Sequence, residues 1–477
     1  MPIVTGLLSL VQARPRALRA INLLGSAGTT AVLFSIIYHI TQGNVYSAEY
    51  FYVDHLSAVL LFIVALLTFT ATLFSLSYME KEVKEGNITE QMLPRYYGLL
   101  NLFSFAMISV LIVGNLGLMW VAVEGTTLAS ALLVAFYFNR EALEAAWKYV
   151  MICTVGICLA LLGTMILYYA QVTAGGDSQA LNWVTLKSIA GKLDPSVVKI
   201  AFIFILIGYG TKAGLSPMHT WLPDAHSQAP SPVSGLLSGA LLSCALYALV
   251  RNMIIVQGAI GTQFPQYLLL GIGLLSVLIA IPFILAQHDV KRLLAYSSVE
   301  HMGIITLGLG VGTPLAIYAA LLHIVNHAVA KSSLFYIAGL ITQEYKTKNI
   351  DQIQGVVKVM PLVTTMFIIG ILAITGSPPF NIFISKFMII QSLFEHQQWL
   401  VGGVTLILLT CIFAGMMRYS LKMSYGAVSD GMHQVTVASS AMTAMALSLV
   451  IIIIGGIYLP PLVNNVLVRA AEIVLGG

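Results

Sequence analysis

Apolar runs of membrane-crossing length follow one another along almost the whole sequence, separated by short polar loops. Because a helix needs about 20 apolar residues to cross a bilayer, each run predicts a transmembrane helix. Only 9% of the 477 residues are charged and 58% are hydrophobic. So few charges cannot coat a water-soluble globule of this size, and a soluble fold is excluded. The sequence therefore predicts an all-α polytopic membrane protein with about 14 transmembrane helices. These spans one to fourteen are expected at residues 2–12, 20–41, 51–77, 98–115, 117–138, 147–171, 198–217, 230–256, 266–287, 292–311, 313–342, 360–396, 399–422 and 438–468.

The polar residues give no sign of a bound cofactor or a nucleic-acid surface. The four cysteines all lie within apolar runs, and none forms a C-x-x-C pair or stands beside paired histidines. No phosphate-binding glycine motif is present. The net charge of +4 is small, and the basic residues are scattered. We therefore expect no cofactor on this chain and no nucleic-acid partner, and the lipid bilayer is its expected environment.

The loop charges predict an orientation. Fifteen Lys and Arg residues lie in or beside the loops that follow odd-numbered spans. The other loops hold five, namely Lys187, Lys192, Lys199, Arg251 and Arg469. The positive-inside rule then places the fifteen in the cytoplasm and both termini outside it.

Three lysines lie deep inside predicted spans, where a charge is costly. Lys212, Lys331 and Lys386 are too far from either end of their spans to reach water easily. A lysine at the centre of a membrane helix costs roughly 2.5 to 3.5 kcal/mol on insertion scales. The sequence therefore predicts buried partners or a hydrated interior path, and Glu124 in span five is the matching acid.

Two of these lysines lie beside glycine and proline residues that interrupt their helices. Span seven carries glycines and a proline around Lys212, and span twelve carries Gly-Ser-Pro-Pro before Lys386. Both spans should be broken helices. They stand five spans apart, which predicts two inverted repeats of five helices at residues 98–256 and 257–422. Residues 1–97 then form an N-terminal region of three helices, and residues 423–477 hold the last helix.

Four motifs resemble one known family. HTWLPDAHSQAPSPVSGLLSG at residues 219–239 is followed by DVKRLLAYSSVEHMG at 289–303, LLHIVNHAVAKSSLF at 321–335 and ITGSPPFNIFISKF at 374–387. The chain resembles the antiporter-like proton-translocating subunits of respiratory complex I, group 4 membrane-bound hydrogenases and multisubunit sodium/proton antiporters. The residues of these motifs are most similar to those of the hydrogenase-4 component F branch.

The resemblance implies a central axis of Lys, His and Glu that moves protons. The family roles fall on a set of acidic and basic residues: Glu124, Lys212, His323, His327, Lys331 and Lys386. In span eight, where family members often carry His or Lys, this chain offers Ser238 and Ser243. Either water on those hydroxyls bridges the gap, or the path is interrupted. Redox chemistry would belong to partner subunits holding iron-sulfur clusters and a nickel-iron or flavin centre, in a peripheral arm attached to further membrane subunits.

Spacing alone supports part of this axis. His323, His327 and Lys331 recur every four residues, so they share one helical face over about 12 Å. A single buried histidine is more often a hydrogen-bonded core residue, but three titratable groups in register favour a relay. Glu124 and Lys212 form either a structural ion pair or a valve that controls whether the lysine keeps its proton.

Other titratable residues have more open interpretations. Lys386 either snorkels along its helix to the interface or takes part in a terminal relay. Glu300 and His301, which echo the Val-Glu of span five, are equally well explained by relay and structural roles. The group His219, Asp224 and His226 is expected on a cytoplasmic connection after the first break. There these residues either feed protons inward or serve turns and caps.

Three functions are consistent with these features. We favour a proton-translocating membrane subunit of a multisubunit respiratory oxidoreductase, in a bacterial or archaeal cell membrane. A cation/proton antiporter or ion-coupled uptake subunit without redox partners is the second hypothesis. The third is a membrane scaffold that does not pump, for which the serines of span eight are the best argument.

Overall fold

The computed structural model describes residues 1–12, 14–175, 181–427 and 432–476. This part of the chain forms 20 α-helices and one short antiparallel hairpin of strands β1 and β2. Three 3-10 turns lie at Glu90–Met92, Ala190–Lys192 and Met218–Thr220. The strands are β1 (Tyr46–Ser47) and β2 (Tyr52–Val53), and the helices are α1 (Pro2–Val11), α2 (Pro15–Thr41), α3 (His55–Lys84), α4 (Leu93–Ile112), α5 (Leu116–Val134), α6 (Arg140–Thr173), α7 (Trp183–Ile189), α8 (Pro195–Lys212), α9 (Trp221–Gln228), α10 (Ser231–Leu236), α11 (Leu242–Ile260), α12 (Gln263–Leu285), α13 (Val290–Val311), α14 (Pro314–Tyr345), α15 (Val356–Val359), α16 (Pro361–Thr375), α17 (Asn381–Glu395), α18 (Trp399–Tyr425), α19 (Ser439–Ile457) and α20 (Pro461–Val474).

Short polar side chains fix where several long helices begin. Asp54, Asn139, Asp194 and Asp289 each precede a helix and accept hydrogen bonds from its first backbone N–H groups. Such caps satisfy donors that have no partner within the helix. Helix α6 therefore begins at Arg140, seven residues before the apolar run starts, because its cap lies outside that run.

Within the described residues, 11 helices are long and apolar enough to cross a membrane. Helix α13 is not among them, because polar residues such as Glu300 and His301 lower its mean hydropathy. Helix α1 has 10 residues, about 15 Å at 1.5 Å per residue, which is half of a bilayer core. The polytopic α-helical class is confirmed, whereas the number of fourteen spans stays a prediction.

The two predicted helix breaks are present. Helix α8 ends at Lys212 and continues as α9, and α16 continues as α17 after a gap of five residues. Each break contains a glycine in the left-handed region, Gly214 with φ +78° and Gly376 with φ +87°. A side chain in that conformation costs about 1–2 kcal/mol, so glycine is the residue suited to both turns.

Span fourteen is also broken, so its prediction as one helix over residues 438–468 was wrong. Helix α19 ends at Ile457 and α20 starts at Pro461. Pro460 and Pro461 lack the backbone N–H that a continuous helix needs, and their rings clash with the preceding turn. The proline pair was visible in the sequence, but the uninterrupted apolar composition outweighed it.

The order of helix neighbours recurs in the two predicted repeats. Helix α4 packs on α5, α5 on α6 and α6 on α8. In the second half α12 packs on α13, α13 on α14 and α14 on α17. Helix α14 also contacts α3, α10, α16, α19 and α20, which places it at the centre of the bundle. The repeat boundaries themselves stay predictions.

Ion pairs gather most of the loop charges on one face, which we call the basic side. Arg292 and Lys148 contact Asp224 there, and Lys422 and His288 contact Asp351. Hydrogen bonds from Lys422 and His288 hold the pKa of the Asp351 carboxyl below its usual value. These contacts bring the starts of α6 and α13 to the same face as the end of α18.

Arg251 does not lie in a loop, as the sequence count assumed. It is buried in α11, and its guanidinium forms a bidentate pair with Asp54 at 2.5 and 2.8 Å. The rings of Tyr52, Trp183 and Tyr247 lie 4.6–5.4 Å from it. The carboxylate and the three aromatic rings explain why the arginine is enclosed.

Candidate ion pathway

Lys212 is fully buried at the end of α8 and is held by neutral groups. Its Nζ donates to Thr127 Oγ1 at 2.8 Å and to the Tyr149 hydroxyl at 2.6 Å. The Tyr149 hydroxyl also lies 2.7 Å from Ser130 Oγ. Among the described residues, no carboxylate lies within 4 Å of this ammonium group. Losing the proton of Lys212 would therefore leave no unpaired anion beside it.

Glu124 and Lys212 do not form the direct ion pair that the sequence suggested. Thr127 lies between them: its hydroxyl donates to Glu124 Oε2 at 3.2 Å while accepting from the lysine. Thr154 Oγ1 donates to the other carboxylate oxygen, also at 3.2 Å. Glu124 and Thr154 are both half-buried, so the acid lies at the lateral surface of the bundle. A hydroxyl relay links acid and ammonium because Thr127 is one helical turn after Glu124 and faces the same way.

The serines of span eight have different environments. Ser238 lies in a π-helical stretch, Leu237–Leu241, between α10 and α11, and its Oγ is 2.8 Å from Ser298 Oγ on α13. Ser243 donates to Gly239 O of its own helix. The structure therefore connects Ser238 to α13 of the second predicted repeat through Ser298. Ser243 has no such contact with the other pathway residues in the described part of the chain. Single π-helical turns often occur at functional sites, but the sequence has no clear signal for this one.

The histidine ladder on α14 contacts α13 and α17. His323 Nε2 lies 2.8 Å from His301 Nδ1, and its Nδ1 lies 2.8 Å from Ser385 Oγ. Asn326 donates to the same serine at 3.2 Å. His301 therefore contacts the ladder, and its relay and structural interpretations both stay predictions.

His327 and Lys331, the second and third residues of the ladder, have few hydrogen-bond partners. The rings of His327 and His301 are tilted by 36° with centroids 5.1 Å apart, and neither ring nitrogen of His327 has a hydrogen-bond partner among the described residues. Lys331 is fully buried, and its Nζ donates to Leu294 O at 2.7 Å. Both groups are thus enclosed by protein, and among the described residues neither is held in an ion pair that an incoming proton would have to break.

Lys386 does not reach the interface. Its side chain is 5% exposed, and its Nζ lies 2.8 Å from Glu300 Oε1. It also donates to Ile374 O at 3.3 Å, a carbonyl freed at the end of α16 by the helix break. Glu300 is thus the partner of Lys386, and the snorkelling interpretation was wrong because a buried carboxylate and free carbonyls lie within reach.

The group His219, Asp224 and His226 follows the first break, as expected, but this connection is helical and packed into the bundle. It falls on a 3-10 turn and on α9, which packs against α6 and α13. His219 and His226 are buried, and Asp224 lies at the basic side with its cations. The segment folds back into the bundle because Trp221 is buried and donates to Thr211 O at 2.9 Å.

Several polar residues of the pathway were missed from the sequence. They are uncharged groups that place the ions: Thr127, Tyr149, Ser298 and Ser385. Asn326, which donates to Ser385, could be singled out because it flanks the ladder in the sequence. Hydroxyls are common in membrane helices, where most donate to their own backbone, so spacing does not separate these from the rest.

In the parts of the chain that the structure describes, no group of three or more His, Cys, Asp or Glu side chains is arranged to hold a metal ion. The four cysteines are free. These ranges therefore offer no ligand set in which a metal ion could be placed.

Comparisons with known proteins give matches over most of the chain. The family described as "NADH:quinone oxidoreductase/Mrp antiporter, TM" matches residues 113–414, and "NADH-Ubiquinone oxidoreductase (complex I), chain 5 N-terminus" matches residues 41–87. A hydrogenase-4 component F homolog of Methylacidiphilum infernorum is 39% identical over 87% of this chain and 86% of its own length. NADH-quinone oxidoreductase subunit N of Desulforudis audaxviator is 33% identical over 76% of this chain and 70% of its own.

Two solved structures show the same fold. A chain of an archaeal membrane-bound sulfane sulfur reductase superposes with a TM-score of 0.85 at 24% identity, covering 99% of this chain and 97% of that one. A chain of respiratory complex I from Thermus thermophilus gives 0.84 at 22% identity, covering 100% and 98%.

Proposed function

Because this chain belongs to the family of NADH:quinone oxidoreductase and Mrp antiporter membrane subunits, we propose that it translocates protons as one membrane subunit of a larger respiratory complex. The proton would enter from the basic side near α9 and α10. It would pass Lys212, Ser238 with Ser298, and the ladder of His327 and Lys331, and it would leave past Lys386. The basic side would face the cytoplasm.

One observation carries this proposal: two fully buried lysines, Lys212 and Lys331, are held by neutral partners. A buried ammonium that served only structure would be paired with a carboxylate, because removing the partner of a buried charge costs about 3–5 kcal/mol. Neutral hydroxyls and carbonyls instead tolerate both the charged and the uncharged lysine. Such groups suit a side chain that gains and loses a proton during turnover.

The half-buried Glu124 would control whether Lys212 keeps its proton. The Thr127 hydroxyl donates to the carboxylate and at the same time accepts from the lysine, so the three groups form one polarised chain. A charge arriving near Glu124 from a neighbouring subunit would reorient that chain. Lys212 would then hold its proton less firmly and pass it towards Ser238.

The coupled partners are part of the proposal. Solved chains of this fold come from multisubunit membrane complexes, including one described as binding NADH. We infer that this chain assembles with further membrane subunits and with a peripheral redox arm. The iron-sulfur clusters and the nickel-iron or flavin centre expected from the sequence would be held there.

Replacing Lys212 tests the function. In the complex reconstituted in proteoliposomes, Lys212→Met should abolish proton movement coupled to turnover, measured with a pH-sensitive dye. Lys199→Met is the matched control, since it removes an exposed lysine from the same helix α8. Unchanged proton movement in an assembled Lys212→Met complex would refute the proposal.

An antiporter function is the second candidate, because the matching family description includes the Mrp antiporters. The same vesicles separate the two. If proton movement requires sodium or potassium on the opposite side and no electron donor, the chain is an exchanger. If it requires electron flow in either salt, the chain is part of a redox pump.

A further inference from the structure

A polar cavity of about 740 Å³ opens at the basic side between α3, α13 and α14 and the junction of α9 with α10. Its lining includes Glu82, Gln228, Lys291, Thr342 and Lys348. Burial lowers the pKa of Lys348 in the loop after α14, so the cavity wall is partly shielded from solvent. The cavity is large enough to hold a chain of water molecules.

Two charged side chains form the closed part of this cavity. Glu82 is 5% exposed, and its carboxylate accepts from Gln343 at 2.7 Å and from Asn87 at 3.1 Å. Lys291 is 3% exposed, and its Nζ donates to Ala229 O at 2.6 Å. Neither residue is needed by the pathway described above. Both are ionisable groups beside space that water can enter.

His226 lies behind this wall. It is fully buried, its ring stacks on Phe335 at 4.8 Å, and neither ring nitrogen has a hydrogen-bond partner in the described part of the chain. Its electrostatic neighbours are Lys291 on the cavity side and Lys331 on the ladder side. Leaving both nitrogens of a buried imidazole without partners costs free energy, which a purely structural histidine would avoid.

We propose that this cavity is the proton-loading site for the second half of the pathway, which begins at Lys331, with Lys291 as its loading group, Glu82 as the acid that attracts protons and His226 as the carrier to Lys331. This inference rests on the proposed function and deepens it. Through a bridging water molecule, the Lys291 ammonium gives a proton to neutral His226, and it regains one from water in the cavity. The imidazolium then gives its second N–H proton to neutral Lys331. The Glu82 carboxylate keeps the cavity attractive to protons.

The substitution Lys291→Met tests the loading site. It should lower the initial rate of proton uptake from the basic side at least about tenfold, as expected for loss of a proton-transfer group. Lys346→Met is the matched control: it makes the same change at an exposed position on the cavity rim and should leave the rate unchanged. A normal rate in Lys291→Met, with Lys212→Met inactive, would overturn the loading site and leave the proposed function standing. Full activity in Lys212→Met would overturn the function itself.

A second measurement avoids dependence on a charge change that could impair assembly. Thr342 lines the cavity, and its hydroxyl donates to Gly339 O of its own helix, so Thr342→Cys should assemble normally. A cationic, water-soluble thiol reagent added at the basic side should then block proton uptake. The same reagent applied to the unsubstituted protein is the control, because it reports any effect of modifying the native cysteines. Uptake that survives modification of Cys at position 342 would refute the loading site.

Discussion

Thr127 shares one hydroxyl between an acid and an ammonium. It donates to Glu124 and accepts from Lys212, so its rotation sets whether the two ions are connected. The second half of the chain has the direct pair of Glu300 with Lys386 instead. The corresponding position there is Gly303, in the Val-Glu-His-Met-Gly motif that echoes Val-Glu-Gly-Thr-Thr. The two halves therefore hold similar charges with different linkers.

Removing that hydroxyl should disconnect the pair. We expect Thr127→Val to lower coupled proton movement at least about tenfold, since a proton-transfer link is lost while the size of the side chain is kept. Thr127→Ser keeps the hydroxyl and should restore most of the rate. Proton movement in proteoliposomes is the measurement. Equal rates in the valine and serine variants would show that Thr127 only fills space.

Removing only the acid of the Glu300–Lys386 ion pair should destabilise the subunit more than removing both charges. Glu300→Gln leaves a buried ammonium without its carboxylate and should destabilise the subunit by about 3–5 kcal/mol. The double variant Glu300→Gln with Lys386→Met removes both charges and should recover most of that loss. Thermal unfolding of the purified complex reports stability, while proton movement should stay absent in both. If the double variant is no more stable than Glu300→Gln, the two charges are not coupled.

The charged residues of the pathway could be predicted from the sequence, but their partners could not. An ion inside an apolar run stands out, because nothing else explains its cost. Thr127 and Ser298 have the same appearance as the many hydroxyls that bond only to their own helices. Glu300 could be singled out, yet its pairing with Lys386 depends on how α13 packs against α17.

The broken helices show how far a sequence pattern can predict an element. Gly-x-x-Pro occurs at both breaks, and both positions turn as predicted. The segment after the first break was harder to predict, because α9 contains polar residues that are typical of a connection. Its buried face becomes evident only when α6 and α13 are packed around it.

The turn at Gly214 should be intolerant of a side chain. Its φ is +78°, and a Cβ there would lie 2.5 Å from Leu222 Cδ1. The backbone conformation alone costs Gly214→Ala about 1–2 kcal/mol. We expect a lower melting temperature of the purified complex. Gly271→Ala, in an open helical position of α12, is the control and should melt at or above the parent temperature. A normal melting temperature for Gly214→Ala would mean that the turn relaxes freely.

Orientation in the membrane is a property of the whole molecule. Ion pairs join basic residues of several loops on the basic side, and the positive-inside rule predicts that this face lies in the cytoplasm. The exposed Lys346 lies on the basic side, and the exposed Ser188 lies on α7 at the other. These two positions are therefore suitable reporters of orientation.

Labelling from each compartment tests the orientation. With Lys346→Cys and Ser188→Cys variants, a maleimide that cannot cross membranes should label position 188 in intact cells and position 346 in inverted vesicles. The unsubstituted protein gives the background from its native cysteines. The reverse pattern would place both the basic side and the loading cavity outside the cytoplasm.

The buried pair of Asp54 with Arg251 can form only after both residues have been synthesised. The two partners are 197 residues apart in sequence. A ribosome adding about 5–20 residues per second needs roughly 10–40 s to cover that distance. During this interval the aspartate has left the exit tunnel without its arginine. The nascent chain therefore has to keep the start of α3 at the aqueous surface until α11 arrives, and a pause or truncation in between would leave the aspartate without its partner.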